Sequence, residues 1–160
     1  MQLGMVGLGR MGGNILRRVM QAGHQGVAFD RDDAAVAALV AEGAAGASSL
    51  AACVALLQAP RIIWVMLPAG EITEACLTEL HGLLRAGDVI IEGGNSFWKD
   101  SRRRGAEAAA RGLHYLDIGT SGGVWGLKRG YCLMIGGDAE VVARLDPILA
   151  ALVPGAGTAL

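Results

Sequence analysis

Gly7-Leu8-Gly9-Arg10-Met11-Gly12 stands directly after a short apolar run and directly before an amphipathic one. A strand that ends in G-x-G-x-x-G and turns into a helix is a place to hold a pyrophosphate. The first glycine permits the tight turn, the second lets the backbone approach a ligand, and the third lets the helix pack close to the strand. The helix start adds unpaired N–H groups and a partial positive charge. With 25 glycines in 160 residues such a spacing can arise by accident, so its context decides.

The context is complete. Met1 to Val6 reads as a buried strand. Behind the glycines, Met11, Ile15, Leu16, Val19 and Met20 share one helical face, and Arg17, Arg18 and Gln21 share the other. Gly23 supplies the stop. A second apolar strand, Gly26 to Phe29, ends in Asp30, 18 positions after Gly12. A Rossmann unit places there the carboxylate that accepts hydrogen bonds from the adenosine ribose hydroxyls. Gly7, Leu8, Gly9, Arg10, Met11 and Gly12, with Asp30 and Arg31, are therefore the candidate cofactor-binding residues.

Helix and strand then alternate. Asp32 or Asp33 caps a helix running to Glu42, and Ala45 to Ala47 is a short strand. Ser48 or Ser49 caps a helix over Leu50 to Gln58, which Pro60 stops. Arg61 to Leu67 is the strongest strand, and Glu71 to Arg85 is helical. Val89 to Glu92 is a strand, and Lys99 to Arg111 a charged surface helix. Leu113 to Ile118 and Tyr131 to Ile135 are strands. A last helix starts at Asp138 and meets Pro147, where Asp146 caps a fresh turn. Repeated β-α-β units predict an α/β domain: a doubly wound, mostly parallel Rossmann-like sheet with helices on both faces. The domain is expected over 1–152, and 153–160 reads as a tail.

Bulk properties narrow the class. The chain is 52% apolar and carries a formal net charge of −1, which offers nothing to nucleic acid or an anionic membrane. Its apolar runs fall well short of the ~20 residues a membrane span needs. Arg102, Arg103 and Arg104 read as a solvated helix face. Cys53, Cys76 and Cys132 have neither disulfide nor metal spacing and read as buried free thiols, which fits a reducing cytoplasm.

In an open α/β sheet ligands sit beyond the carboxyl ends of the strands. Leu67 and Pro68, small and smooth, suit a ribose of the cofactor. The next two strands are followed by Glu92-Gly93-Gly94-Asn95-Ser96 and by Gly119-Thr120-Ser121-Gly122-Gly123. Asn95 and Ser96 offer an amide and a hydroxyl. Ser121, with the N–H groups of Gly122 and Gly123, can bind a carboxylate or hydroxyl.

GLGRMGGN at 7–14, EGGNS at 92–96 and GTSGG at 119–123, with Gly126 to Gly130 and Ile135-Gly136-Gly137, resemble 6-phosphogluconate dehydrogenase across Met1 to about Leu152. The wider β-hydroxyacid dehydrogenase group shares the first motif and the Ser-Gly-Gly loop. The Gly-Gly-Asn-Ser loop points to the phosphogluconate branch. The resemblance implies oxidation of 6-phosphogluconate at C3 by a nicotinamide, then loss of CO2 to give ribulose 5-phosphate, a step of the pentose phosphate pathway. A ketone β to the carboxylate is the electron sink, so no metal site is expected. The resemblance also implies that Asn95, Ser121, Gly122 and Gly123 contact the sugar acid, with Met11 near the nicotinamide and Asn95 close to the cofactor.

Two departures from the family pattern matter. NADP-preferring members carry Asn-Arg-Thr where this chain has Asp30-Arg31-Asp32, which favours NAD over NADP. The family's base and acid are a Lys and a Glu of a following helical domain. That domain is expected to be absent here, so no catalytic residue is assigned within the chain. Lys99, Lys128, His24, His81 and His114 read as surface or structural residues. The expectation is a cofactor-binding domain that binds NAD without turnover, the full-length form being a homo-oligomer. Exposed apolar surface is expected where the helical domain would dock. The alternatives are a domain of a 3-hydroxyisobutyrate-type dehydrogenase and a non-catalytic dinucleotide-binding module.

Overall fold

The computed structural model describes residues 1–155. Its elements are β1 (Gln2–Val6), α1 (Arg10–Gln21), β2 (Gln25–Phe29), α2 (Asp33–Ala41), β3 (Ala45–Gly46), α3 (Leu50–Leu56) and β4 (Ile62–Val65). There follow α4 (Glu71–Leu83), β5 (Val89–Glu92), α5 (Trp98–Ala109), β6 (His114–Ser121), a single 3-10 turn, α6 (Gly126–Arg129), β7 (Cys132–Gly136) and α7 (Ala139–Leu152). One seven-stranded sheet runs in the order β3-β2-β1-β4-β5-β6-β7. All pairings are parallel except β6 with β7. The order reverses at β1, whose neighbours β2 and β4 lead to opposite edges.

Side chains alternate along each strand, and both faces are covered. Leu3, Met5, Trp64, Ile91 and Leu116 pack with Ile15, Leu16 and Val19 of α1 and Leu145, Ile148 and Leu149 of α7. On the other face Val6, Ile63, Val65 and Ile90 pack with Cys53 of α3, Leu77 and Leu80 of α4 and Ala108 of α5. The same alternation puts Glu92, two residues after Ile90, on the α4–α5 face.

Several expectations need correction. β6 continues through Ser121 because β7 returns antiparallel beside it, pairing Thr120 with Leu133 and Ser121 with Cys132. Gly119, Thr120 and Ser121 are therefore strand, and the loop proper begins at Gly122. The last helix does not restart at Pro147; α7 runs unbroken through it from its Asp138 cap. An interior proline costs about 3 kcal/mol. Burying Ile148, Leu149 and Leu152 beyond it returns about 1.5–3 kcal/mol each, so the helix persists. Lys128 lies in α6 rather than in a loop. Cys132 lies exposed on the edge strand, while Cys53 is buried and Cys76 half-buried. Burial pushes the thiols of Cys53 and Cys76 up to about 12.

Of the expected tail, residues 156–160 lie outside the described residues. No described helix is long and apolar enough to cross a membrane. Phe97, Trp98, Val124, Trp125 and Met134 are each more than half exposed, on the segments after β5 and β6 and on edge strand β7.

Candidate functional site

At the C-terminal ends of β1, β2 and β4 lies a cleft of about 710 Å3, lined among others by Gly7, Gly9, Asp30, Arg31, Leu67 and Pro68. This is the strand-order switch point, where open α/β sheets bind ligands. Gly7 has φ of 93°, and a Cβ there would collide with the Met66 carbonyl oxygen. Gly12 sits in the first turn of α1, where a Cβ would strike the Gly7 carbonyl oxygen. At Gly9, the residue capping α1, a Cβ would meet nothing within 4 Å. The first turn of α1 holds no acidic residue, so its partial positive charge is free for a phosphate.

The acid at the end of β2 is already tied to this loop. Asp30 Oδ2 accepts from the Leu8 N–H at 2.5 Å, and Oδ1 accepts from the Asp32 N–H at 2.9 Å. Each carboxylate oxygen offers two lone-pair directions, so room remains for ribose hydroxyls. Asp32 in turn caps α2, accepting from the Ala34 N–H at 2.9 Å. Across the cleft, the buried Thr73 hydroxyl donates to the Pro68 carbonyl at 2.8 Å and holds that wall against α4. Open space beside Gly9, a cleft of ligand size and a fixed carboxylate together fit a dinucleotide.

The loop after β5 adjoins this wall. A Cβ on Gly94 would stand 2.7 Å from the Leu67 carbonyl oxygen and 2.6 Å from Glu92 Oε1. Asn95 is exposed and Ser96 half-buried. Beneath them Glu92 is fully buried, accepts from the Gly94 N–H at 2.7 Å and faces Arg104 at 3.4 Å. Burial raises the Glu92 carboxyl above its ordinary value, although hydrogen bonds from Ser96 and Gly94 and the Arg104 charge oppose the shift.

Arg104 corrects the solvated-face expectation. Arg102 and Arg103 are exposed, but Arg104 is 1% exposed and reaches Ser96, Glu92 and Glu74. Burial alone would raise the Glu74 carboxyl; hydrogen bonds from Arg103 and Arg104 outweigh it and hold the group low.

The Ser121–Gly123 segment follows β6. Gly122 and Gly123 have φ of 152° and 49°. The buried Tyr131 ring packs beneath Gly122 and Gly126. Arg18 of α1 donates to the Leu127 carbonyl at 3.1 Å and to the Leu152 and Val153 carbonyls at 3.2 and 3.0 Å. One guanidinium thus joins the glycine-loop helix to α6 and to the end of α7.

Residues 2–155 match the family model described as the NAD binding domain of 6-phosphogluconate dehydrogenase. The chain belongs to that family. It is an NAD-binding domain of Rossmann type. The NAD(+)-dependent, decarboxylating 6-phosphogluconate dehydrogenase of Haloferax volcanii is 45% identical over 155 residues, which is 97% of this chain and 51% of that protein. The Mycobacterium tuberculosis 3-hydroxyisobutyrate dehydrogenase solved with L-serine superposes with a TM-score of 0.87 at 30% identity, covering 95% of this chain and 52% of that one. The Plasmodium falciparum 6-phosphogluconate dehydrogenase shares the fold with a TM-score of 0.91 at 23% identity, covering 99% of this chain and 35% of that one. The chain spans about half the length of the Haloferax and Mycobacterium proteins.

Six of the residues expected to bind the cofactor (Gly7, Gly9, Asp30, Arg31, Leu67 and Pro68) line this cleft. Leu8, Arg10, Met11 and Gly12 lie outside the cleft lining: Leu8 and Gly12 are buried, Met11 is half-buried, and Arg10 is exposed at the start of α1. Asn95, Ser96, Ser121, Gly122 and Gly123 lie outside the cleft lining, on the segments that follow β5 and end β6. Sequence reasoning missed Ile72, Cys76 and Glu79 of α4 on the cleft wall. Their i, i+4, i+7 spacing, starting just after the Pro68 loop, is the signal that marks one helical face. Ser48 and Ser49, read only as caps, also line the cleft, and Ser49 still caps α3.

Lys99 and Lys128 are exposed, Lys99 lying over the Phe97 and Trp98 rings. His24 bridges the Met1 amino group and the Pro147 carbonyl, at the opposite end of the sheet.

Proposed function

We propose that this chain is the cofactor-holding half of an NAD-preferring 6-phosphogluconate dehydrogenase, which oxidises 6-phosphogluconate and releases CO2 to leave ribulose 5-phosphate. The observation that carries the reading is the Gly93–Ser96 loop, braced from below and adjoining the Leu67 wall of the NAD cleft. A cofactor cleft beside a polar, glycine-bracketed loop suits a small hydroxy acid whose carbinol carbon must meet the nicotinamide.

NAD, which the Gly7–Gly12 turn and Asp30 would hold, would supply the hydride acceptor for oxidation at C3. The chain's own groups bind and orient. Asn95 and Ser96 offer an amide and a hydroxyl to the sugar acid. Ser121 and the N–H groups of Gly122 and Gly123 receive its carboxylate or a hydroxyl. Asp30 accepts from the adenosine ribose hydroxyls and repels a 2′-phosphate, and Asp32 adds to that repulsion. Arg31 pulls the other way, and the two carboxylates outweigh it. Oxidation needs a base for the C3 hydroxyl, and the enediol left by decarboxylation needs an acid. We assign both to the part of the relatives that this chain does not span, so the chain alone binds NAD without turnover.

A second reading is a 3-hydroxyisobutyrate-type dehydrogenase, favoured by the likeness to the Mycobacterium enzyme at 30% identity. Substrate profiling of the full-length enzyme separates the two. Turnover of 6-phosphogluconate with CO2 release supports the proposal; oxidation of hydroxyisobutyrate alone overturns it. NAD binding with no dehydrogenase activity in the full-length protein would leave a non-catalytic module.

A further inference from the structure

Arg104 stands apart from its neighbours in the basic run of α5. A helix surface serving only solubility would turn it outward, as it does Arg102 and Arg103; instead it is 1% exposed. Taking a guanidinium out of water is costly unless its donors are matched, and here they are divided among groups of three elements. Nε and Nη2 donate to Glu74 Oε1 on α4 at 3.0 and 2.8 Å. Nη1 donates to Ser96 Oγ at 2.8 Å and faces Glu92 Oε2 at 3.4 Å.

The loop receives the result. Ser96 Oγ accepts from Arg104 Nη1 at 2.8 Å. Glu92 Oε1 takes the Gly94 N–H at 2.7 Å. The segment is thus held from beneath on both sides of Asn95, its most exposed residue. Glu74 follows Thr73, which pins the Pro68 carbonyl of the cofactor wall. One guanidinium therefore registers the loop after β5 against the wall of the NAD cleft.

We propose that Arg104 is a positioning residue for the sugar-acid loop: acting through Ser96 and Glu92, it fixes Gly93–Ser96 from the buried side and so sets how Asn95 meets the ligand. The proposal rests on the reading of that loop as substrate-binding. A lysine cannot substitute, since an ammonium lacks the planar fork that serves Glu74 and Ser96 together.

The test is amide hydrogen exchange on this chain, resolved at residues 93–97, with NAD affinity of the Arg104→Lys variant measured beside it. In Arg104→Lys, exchange across 93–97 is expected to quicken at least tenfold, while β1 and α1 amides and NAD affinity stay within twofold of wild type. Ser96→Ala removes only the accepting oxygen and keeps the buried charges, so it reports on the loop even where an Arg104 variant fails to fold. It is expected to quicken the same amides. Unchanged loop exchange, or equal acceleration throughout the chain, overturns the proposal. In the full-length enzyme, Arg104→Lys is expected to raise KM for the sugar acid at least tenfold and leave KM for NAD within twofold; an equal rise in both overturns it. Failure of the wild-type enzyme to oxidise 6-phosphogluconate would strike the functional reading, while the exchange result would still decide whether Arg104 holds the loop.

Discussion

The backbone N–H of Leu8 donates to the carboxylate of Asp30 at 2.5 Å, joining the glycine loop to the end of β2 across 22 residues of sequence. The residue proposed to read the ribose therefore also holds the loop proposed to read the pyrophosphate. A hydrogen bond to a charged group contributes about 1.5–3 kcal/mol. Asp30→Ala is expected to lower Tm and to weaken NAD binding at least tenfold by calorimetry. Asp30→Asn keeps an accepting oxygen but removes the charge, so its ratio of NAD to NADP affinity should fall. An unchanged ratio would show that Asp30 does not set the preference.

Gly9 and Gly12 separate binding from folding. A Cβ at Gly12 strikes the Gly7 carbonyl, whereas one at Gly9 meets nothing within 4 Å. Overpacking costs about 1–3 kcal/mol, so Gly12→Ala should lower Tm and abolish NAD binding together. Gly9→Ala should leave Tm nearly unchanged and still cost most of the NAD affinity, because its methyl fills space meant for the ligand. Full NAD affinity in Gly9→Ala would place the pyrophosphate elsewhere.

Glu92 makes stability depend on pH. Burial raises its carboxyl above the ordinary 4.5. In the unfolded chain the group ionises near 4.5, and in the folded chain at higher pH. Its contribution to stability is thus full below about 4.5 and is lost as pH rises through the folded value. Glu92→Gln carries no such proton. The Tm of wild type minus that of Glu92→Gln should be greatest at the acid end and shrink as pH rises. Glu74, held low by Arg103 and Arg104, works in the opposite sense. It is present in both proteins and drops out of the difference. A difference that grows with pH would contradict the assignment.

The thiols give a simple check on the packing. Cys132 is exposed on the edge strand, whereas Cys53 and Cys76 are pushed to about 12 by burial. A thiol reagent at neutral pH should label Cys132 promptly, Cys76 on the cleft wall slowly, and Cys53 only on unfolding. Prompt labelling of Cys53 would contradict the packing of α3 on the sheet.

Legibility in the sequence followed the range of the deciding interaction. The glycine turn, β1, β2 and β5 were readable because their signals are local: an apolar run, a turn, a cap. The extension of β6 through Ser121 depends on pairing with β7, which no residue of β6 announces. The passage of α7 through Pro147 is decided by three buried side chains beyond the proline. Arg104 looked like its neighbours because its partners lie far off in sequence, Glu74 at 30 residues and Glu92 at 12. Even so, period-two alternation places Glu92 on the face that α4 and α5 cover. A carboxyl buried there calls for a polar partner from one of those helices.

The most direct measurement is calorimetric titration of this chain with NAD and with NADP. NAD is expected to bind, with a Kd at least tenfold below that for NADP, since Asp30 and Asp32 oppose a 2′-phosphate. Tighter binding of NADP, or no binding of NAD, would contradict the reading of the Gly7–Gly12 turn and Asp30 as an NAD site.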